Sequence, residues 1–85
     1  MEIFETPNPN ALKIVFKHSL ESGANITEVD QVDIPLINEI IGVDGVVSIF
    51  SGPDFITVMK QNNSEWESIK SNINLIFLIL VDLRS

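Results

Sequence analysis

The stretch that decides the fold is Gly42–Lys60, which reads GVDGVVSIFSGPDFITVMK. Two apolar runs, Val46–Phe50 and Phe55–Met59, flank the turn residues Ser51-Gly52-Pro53-Asp54. Val, Ile and Phe fit a pleated, half-buried surface, and Gly, Pro and Asp reverse the chain, so the stretch is predicted to be a β-hairpin. A four-residue turn pairs Phe50 with Phe55, Ile49 with Ile56, Ser48 with Thr57 and Val47 with Val58. That register gathers Val47, Ile49, Ile56 and Val58 on one face, against a core. The other face carries Val46, Ser48, Phe50, Phe55, Thr57 and Met59 and is mixed.

Working upstream, Pro35–Ile41 reads as a short helix. Proline suits the first helical turn, where its missing N–H costs nothing. Leu36, Ile37, Ile40 and Ile41 form an i, i+4 stripe, Asp33 sits near the N-cap and Gly42 supplies the stop. Between His18 and Asp33 periodicity dissolves. Glu21-Ser22-Gly23 is turn-like, and a short edge strand falls near Ile26. Further back, Ala11–Lys17 alternates, with Leu12, Ile14 and Phe16 on one side, which argues a strand with one buried face. Ile3–Thr6 is its hairpin partner across Pro7-Asn8-Pro9-Asn10, which cannot continue a strand.

Downstream, Ser64-Glu65-Trp66-Glu67 has the capping-box pattern and opens a second helix. Trp66, Ile69, Ile73, Ile76 and Leu80 recur at helical spacing and pack on the sheet. Beyond Asn74 the helix is apolar all round. Leu75–Val81 therefore has two readings, a buried end of a small core or a surface that meets another chain. The order ββαββα implies an α+β two-layer sandwich, an antiparallel sheet of two hairpins with two helices on one face.

Composition removes whole classes of function. The chain has 85 residues, room for one domain, and 45% of them are hydrophobic, which argues against disorder. A net charge of −7, with only five Lys and Arg, excludes a phosphate-reading surface, so no nucleic-acid partner is expected. There is no cysteine, hence no disulfide, thiolate metal site, thiol nucleophile or Cys-ligated iron–sulfur cluster within the chain. The start, MEIFETPNPN, has neither the basic nor the apolar segment of a signal peptide. The longest apolar run, Leu75–Val81, falls far short of the roughly 20 residues that span a bilayer. A cytoplasmic protein without a membrane partner is the simplest expectation.

No catalytic constellation is visible. His18, the one histidine, has only Glu21 nearby and reads as an ordinary surface residue. Glu28, Asp30, Asp33, Glu39 and Asp44 lack EF-hand spacing and read as solvated charge. Asp54 reads as a turn residue, and the serines lack a GxSxG context. No GxGxxG or P-loop is present.

Several stretches coincide with one family. Thr6-Pro7-Asn8-Pro9-Asn10 with Leu12-Lys13, then Glu21-Ser22-Gly23, resemble the opening of the Nfu N-terminal domain of NifU-like iron–sulfur scaffold proteins. Pro35-Leu36, Gly45-Val46, Gly52–Val58 (GPDFITV), Lys60 and Trp66 look like the rest of its pattern. The resemblance covers Ile3 to Ile73 and implies a compact α+β domain. In longer members a second domain carries the CxxC thiolates that assemble a cluster. Here the resemblance implies a stand-alone version, without cofactor or metal ligands, that meets an iron–sulfur scaffold or client protein. The partner-binding candidates are Pro7, Asn8, Pro9, Asn10, Gly52, Pro53, Asp54 and Phe55, with Phe50 and Met59 beside them. The alternatives are a self-associating structural unit joined through the last helix, and a small-ligand or metal-binding protein using the acidic loop.

Overall fold

A computed structural model describes residues 1–81. Five strands and two helices follow in the order β1 (Glu2–Glu5), β2 (Ala11–Val15), β3 (Asn25–Ile26), α1 (Pro35–Ile41), β4 (Val46–Gly52), β5 (Phe55–Lys60) and α2 (Trp66–Leu80). The strands form one antiparallel sheet in the order β1-β2-β5-β4-β3. Both predicted hairpins are present, and the edge strand near Ile26 adds a fifth strand beside β4.

The central hairpin closes more tightly than the sequence suggests. Gly52 pairs with Phe55, Ser51 with Ile56, Phe50 with Thr57 and Ile49 with Val58, so only Pro53-Asp54 lies between the strands. Proline sets a negative φ for the first turn residue, and Asp54 accepts φ 55° at the second, a conformation that aspartate tolerates. The offset from the predicted register is two residues, so Ile49, Ile56 and Val58 still face the core. Val47 does not. A bulge between Val46 and Ser48 leaves it unpaired and 42% exposed, while Val46 turns inward and packs on the core.

The shift also carries Ser51 from the turn to the buried face, where it is fully enclosed. Its hydroxyl accepts the Ala24 N–H at 2.9 Å and donates to the Glu21 carbonyl. Its backbone accepts from Gly23 N at 2.8 Å and donates to Ala24 O at 2.9 Å. One buried serine thus ties the loop after His18 to the middle of the sheet, with every polar atom satisfied.

The core lies between one face of the sheet and the two helices. Ile14, Ile26, Ile49, Ile56 and Val58 from the sheet meet Ile37, Ile40 and Ile41 of α1 and Ile69, Ile73 and Phe77 of α2. On α2 the buried stripe runs through residues 69, 73 and 77, with Trp66 and Ile76 only partly covered. Phe77, absent from the predicted stripe, meets Phe16 edge to face at 5.0 Å between ring centres.

Neither helix has the predicted side-chain cap. The N-cap of α1 is Ile34, with Pro35 at N1, and that of α2 is Glu65. Ser64 belongs instead to the preceding turn, where its N–H donates to Gln61 O at 3.2 Å. Its side chain lies against Gly45, close enough that a Cβ there would come within 2.7 Å of Ser64 Oγ. Gly45 also has φ 96°, so the chain needs glycine at this point on two counts.

A second glycine sets the first prediction. The Phe55 ring lies across Gly52, and a Cβ at residue 52 would meet ring carbons at 2.1 and 2.3 Å. Gly52→Ala is expected to destabilise the protein by about 1–3 kcal/mol in urea unfolding, because the ring must leave its place. With Phe55→Ala also present, most of that cost should vanish, and a strictly additive double mutant would show that the ring is not the obstacle.

Candidate functional site

The sheet has two faces, and the helices cover only one. On the other, the register brings Phe4, Lys13, Thr57, Phe50 and Asn25 into one row across all five strands. The next row holds Glu2, Val15, Phe55 and Gly52, and Met59 pairs with Ala11 and Ser48 in a third. Phe4 and Phe50 are 48% and 47% exposed. Lys13 Nζ stands 4.5 Å from the centre of the Phe55 ring, a cation–π contact that holds an ammonium among aromatic groups. Phe50, Phe55 and Met59 therefore do share one open face, as their alternation requires. Phe4 and Lys13 belong to it too. The sequence did not reveal this, because cross-strand neighbours depend on register.

The two turns frame this face from opposite ends. Pro7–Asn10 meets the Lys60 end of β5, and Gly52–Phe55 forms its other end, about 17 Å away at strand rise. The turns are not one patch.

Pro7-Asn8-Pro9-Asn10 is built rigidly. The Asn8 side chain accepts from the Asn10 N–H at 2.9 Å, and Thr6 Oγ1 accepts from the Asn8 N–H at 3.2 Å. Long-range bonds then fasten the turn. Lys60 Nζ donates to Asn10 Oδ1 at 3.1 Å, Lys60 N donates to Asn10 O at 2.9 Å, and the Asn10 amide meets Asn62. Trp66 Nε1 donates to Pro9 O at 2.8 Å, so the first residue of α2 clamps the turn to the helix layer.

His18 plays the matching part at the other end, and its reading as an ordinary surface histidine is corrected. The ring is half-buried. Nε2 lies 2.8 Å from both Gly52 O and Phe55 O, and Leu20 N–H donates to Nδ1 at 3.1 Å. An N–H can only donate, so Nδ1 is the acceptor and Nε2 carries the proton that the two carbonyls share. Nε2–H is spent on the β4–β5 turn, and the ring's one in-plane lone pair, on Nδ1, accepts from Leu20 N, so none is left for a metal or a substrate proton. Asp54 joins the same structure through its carbonyl, which accepts from Phe16 N at 3.0 Å.

Among the described residues no three His, Cys, Asp or Glu side chains stand close enough to hold a metal ion. The carboxylates of the acidic loop do not converge. Nor is any helix among them long and apolar enough to cross a membrane.

With this geometry in view, comparison with known proteins is decisive. The family described as "Scaffold protein Nfu/NifU N terminal" matches residues 1–80. The chain belongs to that family. The Nfu N-terminal domain here is 35% identical over 79 residues to the human protein named "NFU1 iron-sulfur cluster scaffold homolog, mitochondrial", covering 81% of this chain and 29% of that one. It is 32% identical over 79 residues to "Conserved virulence factor C" of Staphylococcus aureus, covering 91% of this chain and 21% of that one. The chain thus spans between a fifth and three-tenths of these curated relatives. Among solved structures it is similar to Staphylococcus aureus protein SAV1430, with a TM-score of 0.78, 39% identity and coverage of 91% and 95% of the two chains. It is also similar to a NifU-like protein of Saccharomyces cerevisiae, with a TM-score of 0.75, 25% identity and coverage of 96% and 77%.

The clamp on the Pro7–Asn10 turn gives the second prediction. Trp66→Phe keeps most of the ring's packing and deletes the N–H to Pro9 O, and should cost about 0.5–1.5 kcal/mol in urea unfolding. Faster amide exchange at Asn8, Asn10 and Ala11 than in the parent is the accompanying sign. Unchanged exchange there would show that the turn is held without the tryptophan.

Proposed function

We propose that this chain is a non-enzymatic interaction module of iron–sulfur cluster assembly or delivery, working in the cytoplasm. It presents the open face of its sheet to a scaffold or client protein that carries the cluster. The observation that carries this reading is the row of aromatic side chains left uncovered by either helix. Burying Phe4, Phe50 and Phe55 behind a partner removes apolar area from water, and aromatic and Met side chains are enriched at such interfaces. Two turns about 17 Å apart bound this face at its ends.

Chemistry supports the non-ligating half of the proposal. The chain has no thiolate, and its one imidazole is engaged through both nitrogens. A cluster here would lack ligands, so it is cargo held by the partner. The alternative, a self-associating structural unit joined through α2, draws on exposed Leu75, Leu78, Ile79 and Val81. Against it stands the sequence between Lys17 and Lys60, which holds acids and no lysine or arginine and sets like charges of two copies against each other.

The third prediction tests the module. Isotope-labelled protein titrated with a cysteine-bearing scaffold domain should show amide shifts at Phe50, Gly52–Phe55 and Met59, extending to Asn8–Asn10. Phe50→Glu, at an exposed site, should weaken binding about tenfold or more while leaving the fold intact. After anaerobic treatment with iron and sulfide the isolated chain should stay colourless. A stable brown protein with an iron–sulfur absorption band would contradict the reading, as would shifts that avoid the sheet face.

A further inference from the structure

The helix layer carries a second surface, with chemistry unlike that of the sheet face. At 100° per residue, the outward positions of α2 change character along its length. In the first half they are Glu67, Ser68, Ser71 and Asn72, all exposed. Beyond Asn74 they are Leu75, Leu78 and Ile79, which are 52%, 46% and 50% exposed. Between this apolar end and α1 runs an open groove of about 330 Å³, lined by Glu39, Gly42, Val43, Leu75, Ile76 and Ile79. Val29, 54% exposed, extends its floor, with Cγ2 3.8 Å from where a Cβ on Gly42 would stand.

Carboxylates lie along the α1 side of this groove. Glu39 lines it, and Asp44 follows Val43 at its end. Asp30 N–H donates to Asn38 Oδ1 at 2.9 Å, which holds the loop bearing Glu28 and Asp30 against α1. All four acids are exposed. No lysine or arginine lies between Lys17 and Lys60 to balance them, and the one cation of α2 among the described residues, Lys70, sits in its other half.

We infer that this groove receives an amphipathic helix of a partner protein, with a narrow apolar stripe flanked by lysine and arginine. Helices docked in grooves bury anchors at i, i+3 or i+4 and i+7, and residues 72–80 offer about two turns of floor for them. The acidic side attracts and orients a basic helix. It repels a second copy, which would bring the same carboxylates to the contact, and an anionic membrane surface for the same reason. The groove lies on the layer opposite the sheet face, so the inference stands apart from the proposed role in cluster assembly.

The test uses three synthetic helical peptides, followed by calorimetry and by amide shifts. One has leucine at i, i+3, i+4 and i+7 with lysine elsewhere. The second shuffles that composition to destroy the stripe, and the third replaces lysine by glutamate. The first alone should bind, shifting Gly42–Asp44 and Asn72–Leu80. Binding should weaken about tenfold in Ile79→Ser and in Glu39→Lys, both at exposed positions that leave the core intact. Equal binding of the shuffled or the glutamate peptide would overturn the inference, as would shifts confined to the sheet face. So would a dimer in sedimentation equilibrium that Ile79→Ser dissolves, because a second copy would then be the occupant.

Discussion

The closure of β4 on β5 governs the rest of the molecule. Pairing of Gly52 with Phe55 around Pro53-Asp54 fixes which side chains of the two central strands point inward. Because side chains alternate with period two, a slip of one residue would expose Ile49, Ile56 and Val58 and bury Phe50, Phe55 and Thr57. The turn is correspondingly well secured. The Phe55 ring covers Gly52, the His18 imidazole donates to both carbonyls that flank the turn, and Phe16 bonds to Asp54. Ser51, one residue away, holds the incoming loop. All but the Phe55–Gly52 contact link residues distant in sequence, and each depends on the same register.

From that register follow the two surfaces proposed as contact sites. The alternation that buries one side of β4 and β5 leaves aromatic groups on the other, with Lys13 over the Phe55 ring. The helices lie on the buried side, and their outer surface ends in an apolar stretch beside carboxylates. The chain has no thiolate, and its one imidazole is committed to structure. The proposed role as a contact surface draws on membership of the Nfu/NifU N-terminal family.

Much of this was legible in the sequence. Alternation over Ala11–Val15 and over the two central runs identified the strands, and Pro35 with its i, i+4 stripe identified α1. The TPNPN and GPDFITV segments point to the family on sequence alone. What escaped notice had physical causes. Ser-Gly-Pro-Asp suits a four-residue turn as well as the two-residue turn observed, which offsets the register by two residues and moves Ser51 from turn to strand. The bulge at Val47 leaves no mark in the run Val46–Phe50, where a valine suits either face. Ser64 matched a capping box, but its packing against Gly45 was the stronger constraint. His18, Phe4 and Lys13 gained their roles only from neighbours more than thirty residues away or across a strand.

The central claim is that the uncovered face of the sheet is the working surface. Paramagnetic relaxation by a neutral, water-soluble probe measures this directly, with the side chains of Phe4, Phe50 and Phe55 isotope-labelled. In the free protein Phe4 and Phe50 should relax strongly, while Ile49 and Ile56 stay protected by the helices. With a cluster-bearing scaffold bound, the enhancement at Phe4, Phe50 and Phe55 should collapse. If those aromatic groups relax as strongly in the complex as in the free protein, the sheet face is not where the partner binds, and the account is contradicted.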